Sequence, residues 1–185
     1  RWLFFRKVRI AVSGSAPLAV ATLDEFEAAL GLRIVEGYGL TETSPVATIN
    51  PLGRQKAGSV GLPIRDVSVR IVDDSGRELP QGEEGEICIK GPNVMKGYLH
   101  DPEATRQAVT EDGWFKTGDV GIVDPDGFVH IRDRKKDMII VKGLKVFSAQ
   151  VEQALAAHPD VAEAAVVGIP EADNDERIKA FVVLR

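Results

Sequence analysis

The sequence contains a single cysteine, Cys88, so no disulfide can close within the chain and nothing suggests a secreted, stapled fold. A reducing, cytoplasmic setting is the default expectation, with peripheral membrane attachment of a longer parent left open. Basic charge is in deficit: 23 Lys and Arg stand against 28 Asp and Glu, a net charge of -5. A general binder of phosphate backbones carries a basic surplus, so no nucleic-acid partner is expected. Long apolar runs are missing too. None approaches the ~20 residues that span a bilayer, and no signal peptide opens the chain. An initiating methionine is absent, since the first residue is Arg1 and an apolar segment follows at once. The expectation is a piece of a longer protein. What is present is ordinary globular material. Hydrophobic residues make up 44% and charged residues 28% of 185, which argues against disorder. A chain of this length buries roughly 70% of its unfolded surface, enough for one large domain or one medium and one small.

Three regimes follow one another. Residues 8–12 form a β-branched apolar run that stops at the turn-rich Ser13-Gly14-Ser15-Ala16-Pro17. Residues 18–30 carry Leu23, Phe26, Ala29 and Leu30 at helical spacing, with Gly31 as a C-terminal stop. A second strand at 33–36 runs into Gly37-Tyr38-Gly39. Strand, helix, strand is α/β grammar, with sites expected at the carboxyl ends of the strands. From Pro63 the pattern becomes alternating: Val67, Val69 and Ile71, then Ile87 and Ile89, then 121–123 and 128–131 around Asp124-Pro125-Asp126-Gly127. This predicts hairpin-rich antiparallel sheet with one short helix near 102–109. The third regime starts at Asp133-Arg134-Lys135-Lys136-Asp137. Two strands at 138–141 and 144–147 flank Lys142-Gly143, Ser148 can cap a helix reaching His158, and strands at 164–169 and 178–184 close the chain.

Several motifs could carry chemistry, and each also has a plain structural reading. The strand exit at Gly14 lets a flat ligand approach the backbone, or is only a turn. It is not a nucleophile elbow, because Gly-x-Ser-x-Gly is absent. In Glu36-Gly37-Tyr38-Gly39-Leu40-Thr41-Glu42-Thr43 an aromatic between glycines can offer its face to a base. The hydroxyl and carboxylate that follow suit a phosphate oxygen and a hard cation such as Mg²⁺. The alternative is a glycine turn leading into a helix start, with Glu42 favourably placed in the first turn. Asp119, after Gly113-Trp114-Phe115-Lys116-Thr117-Gly118, can hold ribose hydroxyls or be a turn residue. The charge run at 133–137 reads as a solvated face or, at the junction of two regimes, as a hinge. Asp124-Pro125-Asp126-Gly127 lacks the spaced oxygen ligands of a calcium loop and reads as a turn. Cys88, with no basic or histidine neighbour in sequence, reads as structural.

The order of the motifs matters more than any one of them. Gly-Ser-Ala-Pro, Gly-Tyr-Gly-Leu-Thr-Glu, Lys-Gly-Tyr-Leu, Gly-Trp-Phe-Lys-Thr-Gly-Asp and Asp-Arg-Lys-Lys-Asp-Met-Ile stand in register along the whole chain. Together they resemble the adenylate-forming (AMP-binding) enzymes, and most nearly the acyl-CoA synthetase branch of fatty-acyl-CoA synthetases. That resemblance implies an ATP-dependent, AMP-forming ligase: a carboxylic acid, expected to be a fatty acid, is activated to an acyl-adenylate and passed to coenzyme A. It also implies site roles. Gly14, Ser15 and Ala16 would line the adenine and acyl region. Glu36 and Gly37 would meet the adenine edge, and Tyr38 would stack on it. Thr41 would hold the α-phosphate and Glu42 would ligate Mg²⁺. Asp119 would bind the ribose with help from Arg134, Lys136 would sit at a hinge, and Gly143 would lie beside the pantetheine arm of coenzyme A. Thr41, Glu42 and Arg134 are the catalytic candidates.

The implied architecture is the end of a large α/β sheet subdomain (1–62), an antiparallel β-barrel-like subdomain (63–132), a hinge (133–137) and a small α+β domain (138–185). Two elements of the family pattern are not found. The Ser/Thr/Gly-rich phosphate loop would precede residue 1, and the distal catalytic Lys would lie beyond Arg185. The resemblance therefore implies an internal fragment, inactive alone. Ile140 stands where many relatives carry Lys, which weakens one possible contact. The alternatives are an adenylation module that loads a carrier protein, or a non-catalytic nucleotide-binding fragment. Acyl chain length and oligomeric state are not legible.

Overall fold

In the computed structural model, residues 7–14, 20–171 and 175–185 are described. The expected positions Ser15 and Ala16, and the start of the first helix at 18–19, lie outside them. Strand β1 (Ala11–Ser13), helix α1 (Val20–Leu30) and strand β2 (Ile34–Tyr38) form the expected α/β opening, with β1 and β2 parallel. Residues 8–10 are not strand, because the β2 partner begins only at Ile34, opposite Ala11. Leu23, Phe26 and Leu30 are half-buried along α1, and the Gly31 N–H closes the helix on the Glu27 carbonyl at 2.8 Å. Strands β3 (Thr48–Ile49) and β4 (Leu62–Pro63) complete a four-stranded sheet in the order β1-β2-β3-β4, antiparallel after β2.

The alternating region folds as a second four-stranded sheet, ordered β5 (Ser68–Val72), β6 (Gly85–Lys90), β7 (Phe115–Val123) and β8 (Val129–Arg134). Helix α2 (Pro102–Ala108) interrupts it, capped by the Asp101 carboxylate on the Ala104 N–H at 2.9 Å. The sheet is open and does not close into a barrel. Its apolar side supplies Ile71, Ile87, Ile89 and Val129 to a core shared with Ala47 and with Val67, just before β5. Simple alternation predicts Cys88 on a wetter face, yet it is 1% exposed. The reason is cross-strand: Arg70 lies opposite Cys88 in the β5–β6 register, and its guanidinium stacks 4.2 Å from the Trp114 ring centroid. Burial, reinforced by Glu86, pushes the Cys88 thiol up to about 11 despite the basic Arg70 and Lys116. A protonated, enclosed thiol is structural, as the sequence suggests.

Asp124 holds the turn after β7 together. Its Oδ1 accepts the N–H groups of Asp126 and Phe128 at 3.0 and 2.9 Å, while Oδ2 takes the Lys56 ammonium and His130 Nε2.

By contacts the chain divides into two compact units, Arg1–Thr117 with Gly121–Ile131, and Gly118–Val120 with Arg132–Arg185. In the second unit, strands β9 (Met138–Val141) and β10 (Leu144–Phe147) form a hairpin, and helix α3 (Ser148–Ala156) packs on β11 (Val161–Pro170), which pairs with β12 (Glu176–Leu184). Two expectations need correction. Ser148 is the first helical residue, and Phe147 occupies the cap position without a side-chain bond. The capping acceptor comes from elsewhere: Asp133 Oδ2 receives the Ser148 hydroxyl at 2.9 Å and the Ala149 N–H at 3.3 Å. A carboxylate there also complements the helix dipole. His158 lies past the helix end, which is at Ala156, and its Nδ1 accepts the Asp160 N–H at 3.3 Å. Among the described residues no helix is long and apolar enough to cross a membrane.

Candidate functional site

The first cluster of candidate residues is built at the carboxyl ends of β1 and β2. Parallel pairing sets Ser13 beside Glu36, and the missing side chain of Gly14 would lie 3.4 Å from the Gly37 carbonyl oxygen. Gly14, Glu36, Gly37 and Tyr38 are thereby neighbours. The other edge of β2 is tied down by two bonds of 2.8 Å, from the Asn50 N–H to the Glu36 carbonyl and from the Ala47 N–H to the Tyr38 carbonyl. Tyr38 is half-buried and packs against the core cluster, so its ring is held on one side by apolar neighbours. Gly39 is required by a close approach, because a Cβ there would meet the Pro45 carbonyl oxygen at 2.0 Å.

The chain then makes a short 3₁₀ turn over Thr41–Thr43. Thr43, fully buried, locks it by accepting the Leu40 N–H at 2.8 Å and donating to the Leu40 carbonyl at 3.0 Å. Thr41 is exposed and Glu42 is partly so. Glu42 is gripped from a distant segment: the Tyr98 hydroxyl donates to its Oε1 at 2.9 Å, and the Met95 N–H donates to its backbone carbonyl at 2.8 Å. Asn93 adds two bonds of 3.0 Å to the carbonyls of Thr43 and Val46. Burial and the Glu42 carboxylate both raise the Tyr98 phenol above its ordinary value, so it stays a donor at neutral pH.

Whether a cation fits follows from the donor set. Among the described residues no group of three or more His, Cys, Asp or Glu gathers to hold a metal. Glu42 and Thr41 instead offer hard oxygens, and Mg²⁺ commonly takes one or two protein ligands and completes its shell with water and phosphate. These residues fit a cation that arrives with a polyphosphate.

The second cluster belongs to the second unit. Asp119 is 4% exposed and forms an ion pair with Arg134, Nε to Oδ1, at 2.9 Å. Gly118, Arg134, Lys135 and Lys136 line an open concavity beside it. The Lys135 N–H donates to the Gly118 carbonyl at 2.8 Å, and the Asp137 N–H closes a turn on the Arg134 carbonyl at 3.0 Å. Lys136 is exposed at the tip of that turn. Gly143 lies in the β9–β10 hairpin, where Lys142 and Gly143 both take positive φ, 51° and 79°, as a two-residue hairpin turn demands. Next to Ile140, the Glu176 carboxylate accepts the backbone N–H at 2.7 Å.

Thr43, Asn93, Tyr98 and Asp133 escape a reading of the sequence as functional positions. Tyr98 sits inside the quoted Lys-Gly-Tyr-Leu segment, but nothing local connects it to Glu42, 56 residues away. Asp133 belongs to the charge run, and only the fold reveals that it caps α3.

A family model described as AMP-binding enzyme matches residues 4–99, just over half of the chain, and a second, described as AMP-binding enzyme C-terminal domain, matches 150–185. The chain belongs to the AMP-binding enzyme family. This AMP-binding chain is 43% identical over 182 residues to a long-chain-fatty-acid–CoA ligase of Yersinia pestis, covering 98% of the chain and 32% of the relative. It is 45% identical over 180 residues to the ligase of that name from Bacillus subtilis, again covering 32% of the relative. Among solved structures, ATP-bound MatB from Rhodopseudomonas palustris superposes with a TM-score of 0.88 at 44% identity, covering 94% of this chain and 35% of that one. The O-succinylbenzoate coenzyme A synthetase MenE from Bacillus subtilis, in complex with ATP and magnesium, gives 0.85 at 35% identity, with 95% and 36% covered. The chain thus spans about a third of the length of the relatives it matches.

Proposed function

We propose that this chain supplies the nucleotide-recognising portion of an ATP-dependent acyl-CoA synthetase whose acid is a fatty acid. The observation that carries the reading is the buried Asp119 carboxylate, fixed by Arg134 at the end of the Lys-Thr-Gly-Asp segment. A carboxylate held that way accepts two vicinal hydroxyls without reorganising, which suits a ribose. The names of the 40–45% identical relatives support the fatty acid and coenzyme A.

In this reading the acid's carboxylate oxygen attacks the α-phosphorus of ATP, the bond to the β-phosphate oxygen breaks, and pyrophosphate leaves. The thiolate of coenzyme A, its proton lost to solvent, then attacks the acyl carbon, and the bond to AMP breaks. Charge grows on the phosphoryl oxygens in the first step, so fixed donors aimed there dominate catalysis. Thr41, exposed at the start of the 3₁₀ turn, donates to the α-phosphate. Glu42 holds Mg²⁺, which when bound neutralises developing phosphate charge. Gly14 lines the adenine and acyl region. Glu36 and Gly37 meet the adenine edge and Tyr38 stacks on it. Arg134 supports Asp119 at the ribose, and Gly143 borders the pantetheine arm.

The domain reading extends this: 1–62 ends the large α/β subdomain, 63–132 is the antiparallel subdomain, 133–137 is the hinge carrying Lys136, and 138–185 is the small mobile domain. The division into two compact units near residue 131 supports a hinge in that region. A second reading, transfer of the acyl group to an acceptor other than coenzyme A, such as a carrier protein, has one observation behind it. The amide bond synthetase McbA from Marinactinospora thermotolerans superposes at 39% identity with a TM-score of 0.84.

The test uses both the intact protein and residues 1–185. The intact protein, given ATP, Mg²⁺, palmitate and coenzyme A, should yield AMP, pyrophosphate and palmitoyl-CoA. Residues 1–185 alone should show no palmitate-dependent pyrophosphate exchange. Acyl transfer by the intact protein to a carrier but not to coenzyme A would establish the second reading.

A further inference from the structure

Glu42 is held by more than its own turn. The segment that carries Asn93, Met95 and Tyr98 bonds the backbone carbonyls of Glu42, Thr43 and Val46, and only Tyr98 reaches the Glu42 side chain. Tyr98 is itself anchored. Its N–H donates to Thr105 Oγ1 at 2.9 Å, and that hydroxyl donates to the Asp101 carbonyl at 2.8 Å, at the capped start of α2. The neighbouring Gly97 leaves room for this contact, since a Cβ there would meet the Thr105 side chain at 2.8 Å. A chain of bonds therefore runs from the cap of α2 through Thr105 and Tyr98 to one oxygen of Glu42. Among the described residues Glu42 Oε2 has no such partner.

A free glutamate side chain on an exposed turn samples several rotamers, and fixing it costs entropy when a cation binds. A donor bonded to one carboxylate oxygen removes part of that freedom beforehand and leaves the second oxygen available. Outer partners of this kind typically tune metal affinity 10–100-fold.

We propose that Tyr98 is a positioning residue: its hydroxyl fixes Glu42 Oε1 so that Oε2 is presented to the divalent cation that accompanies the nucleotide triphosphate. This rests on the reading of Glu42 as the cation ligand.

The test is a Mn²⁺ titration followed by the loss of the free-ion electron paramagnetic resonance signal. The intact protein is used, with saturating α,β-methylene ATP, as wild type, Glu42→Gln and Tyr98→Phe. Tyr98→Phe should weaken Mn²⁺ on the order of 10-fold, and Glu42→Gln by more. Affinity for a metal-free acyl-sulfamoyl adenosine should stay at the wild-type value in Tyr98→Phe. If Glu42→Gln weakens Mn²⁺ and Tyr98→Phe does not, the positioning role is overturned and the reading of Glu42 stands. If neither variant changes Mn²⁺ affinity, Glu42 is not the ligand and both fall. If Tyr98→Phe loses the adenosine analogue as much as it loses Mn²⁺, or unfolds at a lower temperature with the same loss, Tyr98 is merely structural and the proposal is overturned.

Discussion

The Asp119 carboxylate lies 2.9 Å from Arg134 Nε, and the two partners differ in exposure: side-chain accessibility is 5% for the acid and 53% for the base. A buried carboxylate loses hydration and depends on its partners, whereas a guanidinium with five donors can serve Asp119 and still face solvent. That asymmetry orients the acid. It leaves Arg134, on the open concavity with Lys135 and Lys136, free to turn donors toward a ligand.

Two glycines should respond differently to a methyl group. Gly39→Ala drives a Cβ to within 2.0 Å of the Pro45 carbonyl oxygen, a backbone atom that cannot swing away. The expected loss is at least about 1–3 kcal/mol, the range for overpacking. Gly143 has open space around it but a φ of +79°. Gly143→Ala should cost about 1–2 kcal/mol, from the left-handed conformation alone, and Gly143→Asn less. Urea denaturation of the three variants checks the order.

Acid stability should depend on Asp124. Burial raises its pKa, but donors from Lys56, His130 and the Phe128 N–H outweigh it and hold the carboxyl well below the usual range. A folded-state value below the unfolded one adds stability that is complete above the unfolded value, about 3.9. It is lost as pH falls from there toward the folded value. The wild type should therefore lose stability below about pH 4 more steeply than Asp124→Asn. Denaturation midpoints measured from pH 7 to pH 2 decide it, and parallel curves would remove Asp124 from the account.

Much of this architecture is written locally. The α/β opening, the short helix before Val109, the hairpin at Lys142-Gly143 and the turn at Asp124-Pro125-Asp126-Gly127 each follow from periodicity and turn residues within a few positions. Resemblance adds the site residues, and the structure sets Gly14 beside Gly37 and Asp119 beside Arg134. What stays hidden is the set of side chains that bond across long separations: Tyr98 to Glu42, Lys56 to Asp124, Asp133 to the start of α3, Arg70 to Cys88 and Trp114. None of these leaves a periodic trace, because each partner is an ordinary polar or charged residue in its own segment. Ser148 shows the converse: a good local capping signal is overridden by a carboxylate fifteen residues earlier.

Lys136 tests the hinge. It occupies the third position of the turn that the Asp137 N–H closes on the Arg134 carbonyl. Proline fixes φ and disfavours a helical conformation at the preceding residue, so it is poorly tolerated there. In the intact protein Lys136→Pro should retain adenylate formation and impair thioester formation, while Lys136→Ala leaves both close to wild type. The two half-reactions, measured separately by rapid quench, decide the matter. Equal slowing of both, or of neither, would return 133–137 to a surface charge run.

The most direct test of the nucleotide site is the affinity of the intact protein for ATP, measured by isothermal titration for the wild type and for Asp119→Ala. Loss of charge-assisted bonds to ribose hydroxyls predicts a weakening of roughly 1–3 kcal/mol, about 5- to 150-fold in Kd, in a variant that remains folded. An Asp119→Ala protein that stays folded and binds ATP as tightly as the wild type would contradict the account and return Asp119 to a structural ion pair.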